Sequence, residues 1–277
     1  MDLSIREYRP SDIGKLSDLW GEDFCYSYNF ITNFFKMLPK MGTGLVAESR
    51  GELLGAVYIL MGQTLILDLR EAFTDDSSDP LCAYIYGLSV LKSSRNKAVG
   101  SALIKAASKK AKELGADIVC VYPRKASLYR WYEKRIGTKC VLYRKRDIIL
   151  SSGLEQCIPL SSSEYMMWRE NLLKDYPHLH LSGSCMEFER LLCADGGGGF
   201  YASGCGIAAA YRLGSRAVIV ELLCSDSCEE RIVAASVGSA LGCRDVLLYR
   251  PSDRGEPYIA ADNSLIPPDC VWNFSYD

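Results

Sequence analysis

The sequence predicts an α/β (α+β) protein, a mixed central sheet flanked by helices, built as two tandem domains. Three observations carry this. Short apolar runs of strand length alternate with stretches whose apolar residues recur every three or four positions, the period of a helix face. The order of these elements in the first half recurs in the second, where RDVLLYRPS near residue 248 echoes ADIVCVYPR near residue 120. Charge also changes along the chain. Residues 1–150 hold 23 Lys/Arg against 17 Asp/Glu, and residues 151–277 hold 9 against 17. That shift predicts domains over 1–150 and 151–277.

The first half is organised around YIYGLSVLKSSRNKAVGSAL, Tyr84 to Leu103. Tyr84 to Val90 is aromatic and branched and reads as a strand. Leu91 to Asn96 is polar. From there Val99, Leu103 and Ala106 fall at helical spacing, so a strand enters a loop that opens a helix. The first turn of a helix leaves amides without partners and its dipole favours negative charge, so such a loop suits a phosphate. Ala98, Gly100 and Ser101 are small enough to let backbone approach a ligand, and Arg95 and Lys97 add positive charge.

Leu88-Ser89-Val90 followed by Arg95-Asn96-Lys97-Ala98-Val99-Gly100 resembles the acyl-CoA signature of the GNAT superfamily of N-acyltransferases. Ala98 stands where the family pattern has its first glycine. The resemblance implies the GNAT fold, with strands that splay beside the signature and a pantetheine arm pairing with Leu88–Val90. It implies acetyl-CoA as co-substrate, with Leu88, Ser89, Val90, Arg95, Asn96, Lys97, Ala98, Val99, Gly100 and Ser101 as the residues that bind it. The later stretch SLYRWYEKRIG resembles the second family motif. Tyr132 matches the tyrosine that protonates the departing thiolate, and Tyr129, one turn earlier, competes for that role. Thr138 replaces the usual phenylalanine, and one extra residue separates Tyr132 from Gly137.

In chain order, Leu3 to Arg6 reads as a strand. A helix starts at Pro10-Ser11-Asp12 with Ser11 or Asp12 as its cap, and Ile13, Leu16, Leu19 and Trp20 form its apolar face. Tyr26 to Leu38 is a second helix, broken by Pro39 to Gly44. Gly44–Glu48 and Leu53–Leu60 form a hairpin around Ser49-Arg50-Gly51-Glu52, and Thr64 to Leu69 either extends the second strand or forms another beyond Gly62. The acidic stretch Asp68 to Pro80 reads as a solvated loop or as a lip attracting a cationic acceptor. After the central strand the helix spans Ala98 to about Leu114, with Gly115 as its stop. DIVCVY, Asp117 to Tyr122, reads as a buried parallel strand. Ala126 to Arg135 is a helix, and Lys139–Tyr143 with Asp147–Leu150 is a closing hairpin.

In the second half, Tyr165–Leu173 and Glu229–Leu241 read as helices. Phe188–Leu192, Gly199–Ala202, Ile207–Leu213, Ala217–Leu223 and Asp245–Tyr249 read as strands. This predicts a degenerate GNAT-like repeat. Its loop CSDSCEER carries Asp226, Glu229 and Glu230, whose carboxylates repel a diphosphate, so no CoA loop is expected there. DGGGGF, Asp195 to Phe200, has no Lys-Ser/Thr after it and reads as a flexible hairpin.

Hydrophobic content of 48% and charged content of 24% fit a globular protein. No apolar run approaches the roughly 20 residues that span a bilayer. The N-terminus shows no signal pattern, which predicts a cytoplasmic location and reduced cysteines. Cys224 and Cys228 lie far in sequence from His178 and His180, which argues against zinc. Cys82 is a formal nucleophile with no histidine near it in sequence. The expected activity is transfer of an acetyl group from acetyl-CoA to a primary amine of a small molecule or protein. Amides near Leu88 and Ser89 would polarise the carbonyl, and a water relayed through Asp79 is the candidate base. The alternative is an inactive acyl-CoA-binding or protein-interaction module. Partners are an acyl-CoA and an amine, with no nucleic acid and no membrane, in a monomer or homodimer.

Overall fold

The computed structural model describes residues 2–24, 26–67, 79–151, 156–204, 206–225, 229–264, 266–267 and 270–274. Two compact units share the chain. Unit 1 comprises Met1–Thr64, Pro80–Val141 and Tyr258–Ile266, and unit 2 the segments Leu65–Asp79, Leu142–Pro257 and Pro267–Asp277. The division falls inside a strand at 141/142 rather than at residue 151.

Unit 1 begins with β1 (Ser4–Glu7), then α1 (Ile13–Asp23) and α2 (Tyr28–Met41). Ser27 caps α2 by accepting from the Phe30 amide. The helix runs through Pro39 instead of ending before it. Leu38 and Met41 are anchored in the core, and the Gly42 amide closes on Leu38 O. β2 (Gly42–Ser49) and β3 (Glu52–Ile66) form the expected hairpin, with Arg50 and Gly51 both at positive φ. Of the two alternatives for the stretch beyond Gly62, the structure has the extension: β3 is one strand to Ile66. β4 (Leu81–Val90) pairs antiparallel with β3. α3 (Val99–Glu113) crosses over to β5 (Ile118–Val121), which is fully buried and parallel to β4. α4 (Ala126–Ile136) ends at Gly137 in the left-handed region. Leu103, Ile104, Ala107 and Ala111 of α3 pack on Val57, Ile59, Ala83 and Val119 of the sheet.

β6 (Cys140–Leu150) is a single strand where a hairpin was expected. Its RKRD run looks like a turn, yet Tyr143 to Leu150 pair without a break with 252 to 245. Arg144 is buried there, its guanidinium 3.9 Å from the Tyr249 ring centroid.

Unit 2 continues with β7 (Cys157–Leu160), α5 (Ser162–Leu173), β8 (His178–Leu181) and α6 (Gly183–Asp195). The expected strand at 188–192 is the middle of α6. Cys185, Met186, Phe188, Glu189, Leu192 and Cys193 are buried at helical spacing, and Ser182 caps the helix. A five-residue window was too short to reveal that period. The glycine run after it is a helix-to-strand turn, not a hairpin. A Cβ at Gly198 would stand 2.0 Å from Ala210 O, so only glycine fits. β9 (Gly199–Ser203), β10 (Gly206–Leu213) and β11 (Arg216–Cys224) form an antiparallel meander. α7 (Glu230–Ala240) crosses to β12 (Asp245–Ser252), parallel to β11. β13 (Glu256–Ala261) returns to unit 1, where Ala260 and Ala261 pair antiparallel with Val121 and Cys120 of β5.

Candidate functional site

The site grows from an irregularity in β4. Ser89 pairs with Ala56 and Tyr86 with Tyr58, so Gly87 and Leu88 together oppose Val57: a β-bulge. Gly87 sits at φ +60. A Cβ there would come within 2.7 Å of the Trp20 ring, so the bulge requires glycine. β4 pairs with β5 only from Cys82↔Ile118 to Tyr84↔Cys120. Among the described residues, 85–90 therefore have no β5 partner. The bulge and this open edge lie on the same six residues.

Past the open edge, the loop is fixed at several points. The Leu91 amide donates to Leu54 O at 2.9 Å and the Ser94 amide to Leu91 O at 2.8 Å. Arg95 does not present its charge as expected. Its Nε donates to Val90 O at 3.0 Å and its guanidinium pairs with Asp23, while Lys92 pairs with Glu22 at 3.6 Å. Two acidic residues at the C-terminal end of α1 thus hold the loop, and Arg95 acts as a strut. Lys97 is exposed and forms no ion pair among the described residues.

Ala98 caps α3 at φ 64 and ψ 3, a conformation that costs a residue with a Cβ roughly 1–2 kcal/mol. A left-handed residue followed by helical ones turns successive amides to one side, the concavity that binds anions. The next amide to close on a backbone carbonyl is that of Ala102, which donates to Ala98 O at 3.0 Å. The amides from Lys97 to Ser101 have no backbone acceptor among the described residues. Leu88, Val90 and Trp131 approach Gly100 at ordinary van der Waals distance, between 3.6 and 3.9 Å from a built Cβ. An apolar wall therefore borders the amides.

Tyr132 and Tyr129 lie on the face of α4 that packs against α3 and the sheet. Tyr132 is the more buried, and burial pushes its hydroxyl up to about 12, so it is neutral and protonated at pH 7. The same helix supplies two residues that the sequence did not single out. Arg135 Nε donates to Ser101 Oγ at 2.9 Å, and its guanidinium stacks 3.9 Å from the Trp131 ring centroid. A cation thus stands at the first turn of α3. Two motif signals, 34 residues apart, were needed to see that pairing.

The other candidates resolve simply. Cys82 is wholly buried with Sγ 3.8 Å from Pro80 O, which removes it as a nucleophile. Residues 68–78 of the acidic stretch, and Asp226 and Cys228, lie outside the described residues. No cluster among the described residues could hold a metal ion. No helix among them is long and apolar enough to cross a membrane.

An antiparallel meander, a bulged fourth strand and a parallel crossover through a helix define a GNAT-like α/β fold. The comparisons agree. Residues 11–137 match the acetyltransferase (GNAT) family. A GCN5-related N-acetyltransferase from Kribbella flavida superposes with a TM-score of 0.66 at 15% identity, over 94% of this chain and 70% of that one. A second, from Anabaena variabilis, gives 0.65 at 12% identity over 94% and 72%. Eis1 from Mycobacterium abscessus gives 0.58 at 13% identity over 93% and 72%. No curated protein sequence matches the chain.

Proposed function

We propose that unit 1 binds acetyl-CoA and transfers its acetyl group to a primary amine of a small molecule or protein. The observation that carries this reading is the row of amides from Lys97 to Ser101, lying beside an open strand edge. The diphosphate would rest on those amides, with Lys97 as the available cation. The pantetheine would pair with Leu88–Val90 as an added strand.

In the reaction the amine nitrogen forms a bond to the thioester carbon, and the carbonyl electron pair moves to oxygen. Amides at Leu88 and Ser89 would stabilise that oxyanion. Collapse breaks the C–S bond and expels the thiolate. Tyr132, neutral at pH 7, gives the sulfur a hydrogen bond and then its proton, and the surplus amine proton passes to water. A hydroxyl held near 12 is a weak acid for a thiolate, so its main service is to disperse charge as the bond breaks. β4 carries no Asp or Glu, which places no base on the central strand.

We infer further that unit 2 is a degenerate tandem copy without a CoA loop. Its meander, crossover and bulge follow the order of unit 1, but Glu229 and Glu230 stand at the start of α7. Two observations favour the alternative of a binding module without turnover: the strained Ala98 cap and the pairing of Arg95 with Asp23. Calorimetric titration with acetyl-CoA tests the main reading. Saturable binding, with thiol release on adding amines that falls about a hundredfold in Tyr132→Phe, is the expected result. No heat and no thermal shift would overturn it. Binding without release from any amine would favour the module.

A further inference from the structure

Trp20 is almost completely buried, and yet its one polar group is used at the bulge. Its indole Nε1–H donates to Gly87 O at 3.4 Å. The ring cannot swing away from that carbonyl. Phe34 packs 4.4 Å from its centroid, and Tyr58 and Tyr86 meet it edge-on at 5.2 and 5.7 Å. From the other side, the missing Cβ of Gly87 is what admits the ring, and Ser89 Oγ lies 3.5 Å from the same carbonyl oxygen.

A carbonyl held in place fixes more than itself. The peptide between Gly87 and Leu88 is planar and trans, so its C=O and N–H point in opposite directions. Anchoring Gly87 O to the indole therefore sets the direction of the Leu88 N–H, which lies in the same peptide plane and points away from Trp20. Because a bulge loosens the ladder locally, this peptide plane depends on side-chain contacts more than a regular strand would.

We propose that Trp20 is a positioning residue for acyl transfer, fixing the Gly87–Leu88 peptide so that the Leu88 amide polarises the thioester carbonyl. This rests on the acyl-CoA reading above. The α1 helix is then part of the oxyanion device.

The test uses acetyl-CoA labelled with carbon-13 at the acetyl carbonyl, and difference infrared spectroscopy on the full chain, so no acceptor is needed. Calorimetry first establishes binding; its absence would sink the acyl-CoA reading and this inference with it. With binding established, the carbonyl stretch should lie at lower frequency bound than free. In Trp20→Phe the downshift should vanish while affinity stays within about threefold. Phe34→Leu loosens the same aromatic cluster without touching Gly87 O and should keep the downshift. Retention in Trp20→Phe, or loss in both variants, would overturn the positioning role while leaving acetyl-CoA binding intact. If Trp20→Phe does not fold, Gly87→Ala displaces the same contact from the strand side, and a retained downshift there is equally fatal.

Discussion

The two units use one backbone device in opposite ways. In each, an antiparallel meander runs into a bulged strand, and a helix crosses over from that strand to a parallel neighbour. The bulge lies at Gly87-Leu88 in β4 and at Val220 in β11, and the parallel pairing stops short of it, at Tyr84 and at Ile219. In unit 1 the first helix sends an apolar ring, Trp20, to the bulge. In unit 2 the first helix sends ions. Glu221, next to the bulge and fully buried, accepts from Tyr165 Oη at 2.9 Å, from Arg169 Nε at 3.0 Å and from Asn273 Nδ2 at 3.0 Å. Glu170 then joins Arg169 to His178 and His180. The comparison teaches that a bulged, splayed strand is not itself a site. The same irregularity receives an apolar ring in one unit and a buried ion cluster in the other, so the side chains packed on it differ while the backbone does not.

The largest expected effect is in unit 2. Glu221→Ala leaves the Arg169 charge buried beside lost partners and should cost about 3–5 kcal/mol in urea unfolding. Arg169→Met with Glu221→Leu should recover most of it; failure to recover would mean the ions do more than fill space.

A second substitution would make unit 1 resemble unit 2. Ser101→Glu places a carboxylate in the first turn of α3, as Glu230 stands in α7. The helix should gain roughly 0.3–1 kcal/mol from the dipole, while acetyl-CoA affinity falls by about tenfold or more. Affinity that held steady would place the diphosphate elsewhere.

A third effect depends on pH. Burial pushes Glu170 up, but hydrogen bonds from His178 and His180 and the Arg169 charge outweigh it and hold the carboxyl far below its usual range. A lowered folded pKa gives stability that is present above the unfolded value, near 4.5, and is lost as pH falls further. Urea midpoints should therefore drop below about pH 4.5. Glu170→Gln should flatten that decline.

The smallest effect is at the cap. Ala98→Gly removes the left-handed penalty and should raise stability by about 1 kcal/mol, less the extra freedom of glycine in the unfolded chain. Acetyl-CoA affinity should hold or rise.

The strand, loop and helix from Tyr84 to Leu103 were legible because they are local, each element announced by its own period. The bulge was not. YIYGLSV is aromatic and branched as an ordinary strand would be, and its glycine reads as one more strand position. Trp20 read as one apolar position of a helix, since nothing local tells that its N–H meets a carbonyl 67 residues on. The pairing of Arg95 with Asp23 was not legible, because that partner comes from another helix. Strand–helix confusion over 188–192 had a different cause, a window shorter than two helical turns.

The return of β13 to β5 bears on how the chain is made. Val119 donates to Asp262 Oδ1 at 2.8 Å, 143 positions downstream, and Lys139 to Ala261 O at 2.8 Å, so the edge of unit 1 beside β5 is sewn by residues made much later. At ribosomal speed those residues emerge on the order of ten seconds after β5. Until then the nascent protein carries a bare strand edge, Cys120 and Val121 included, and a fragment ending at residue 150 would carry it permanently.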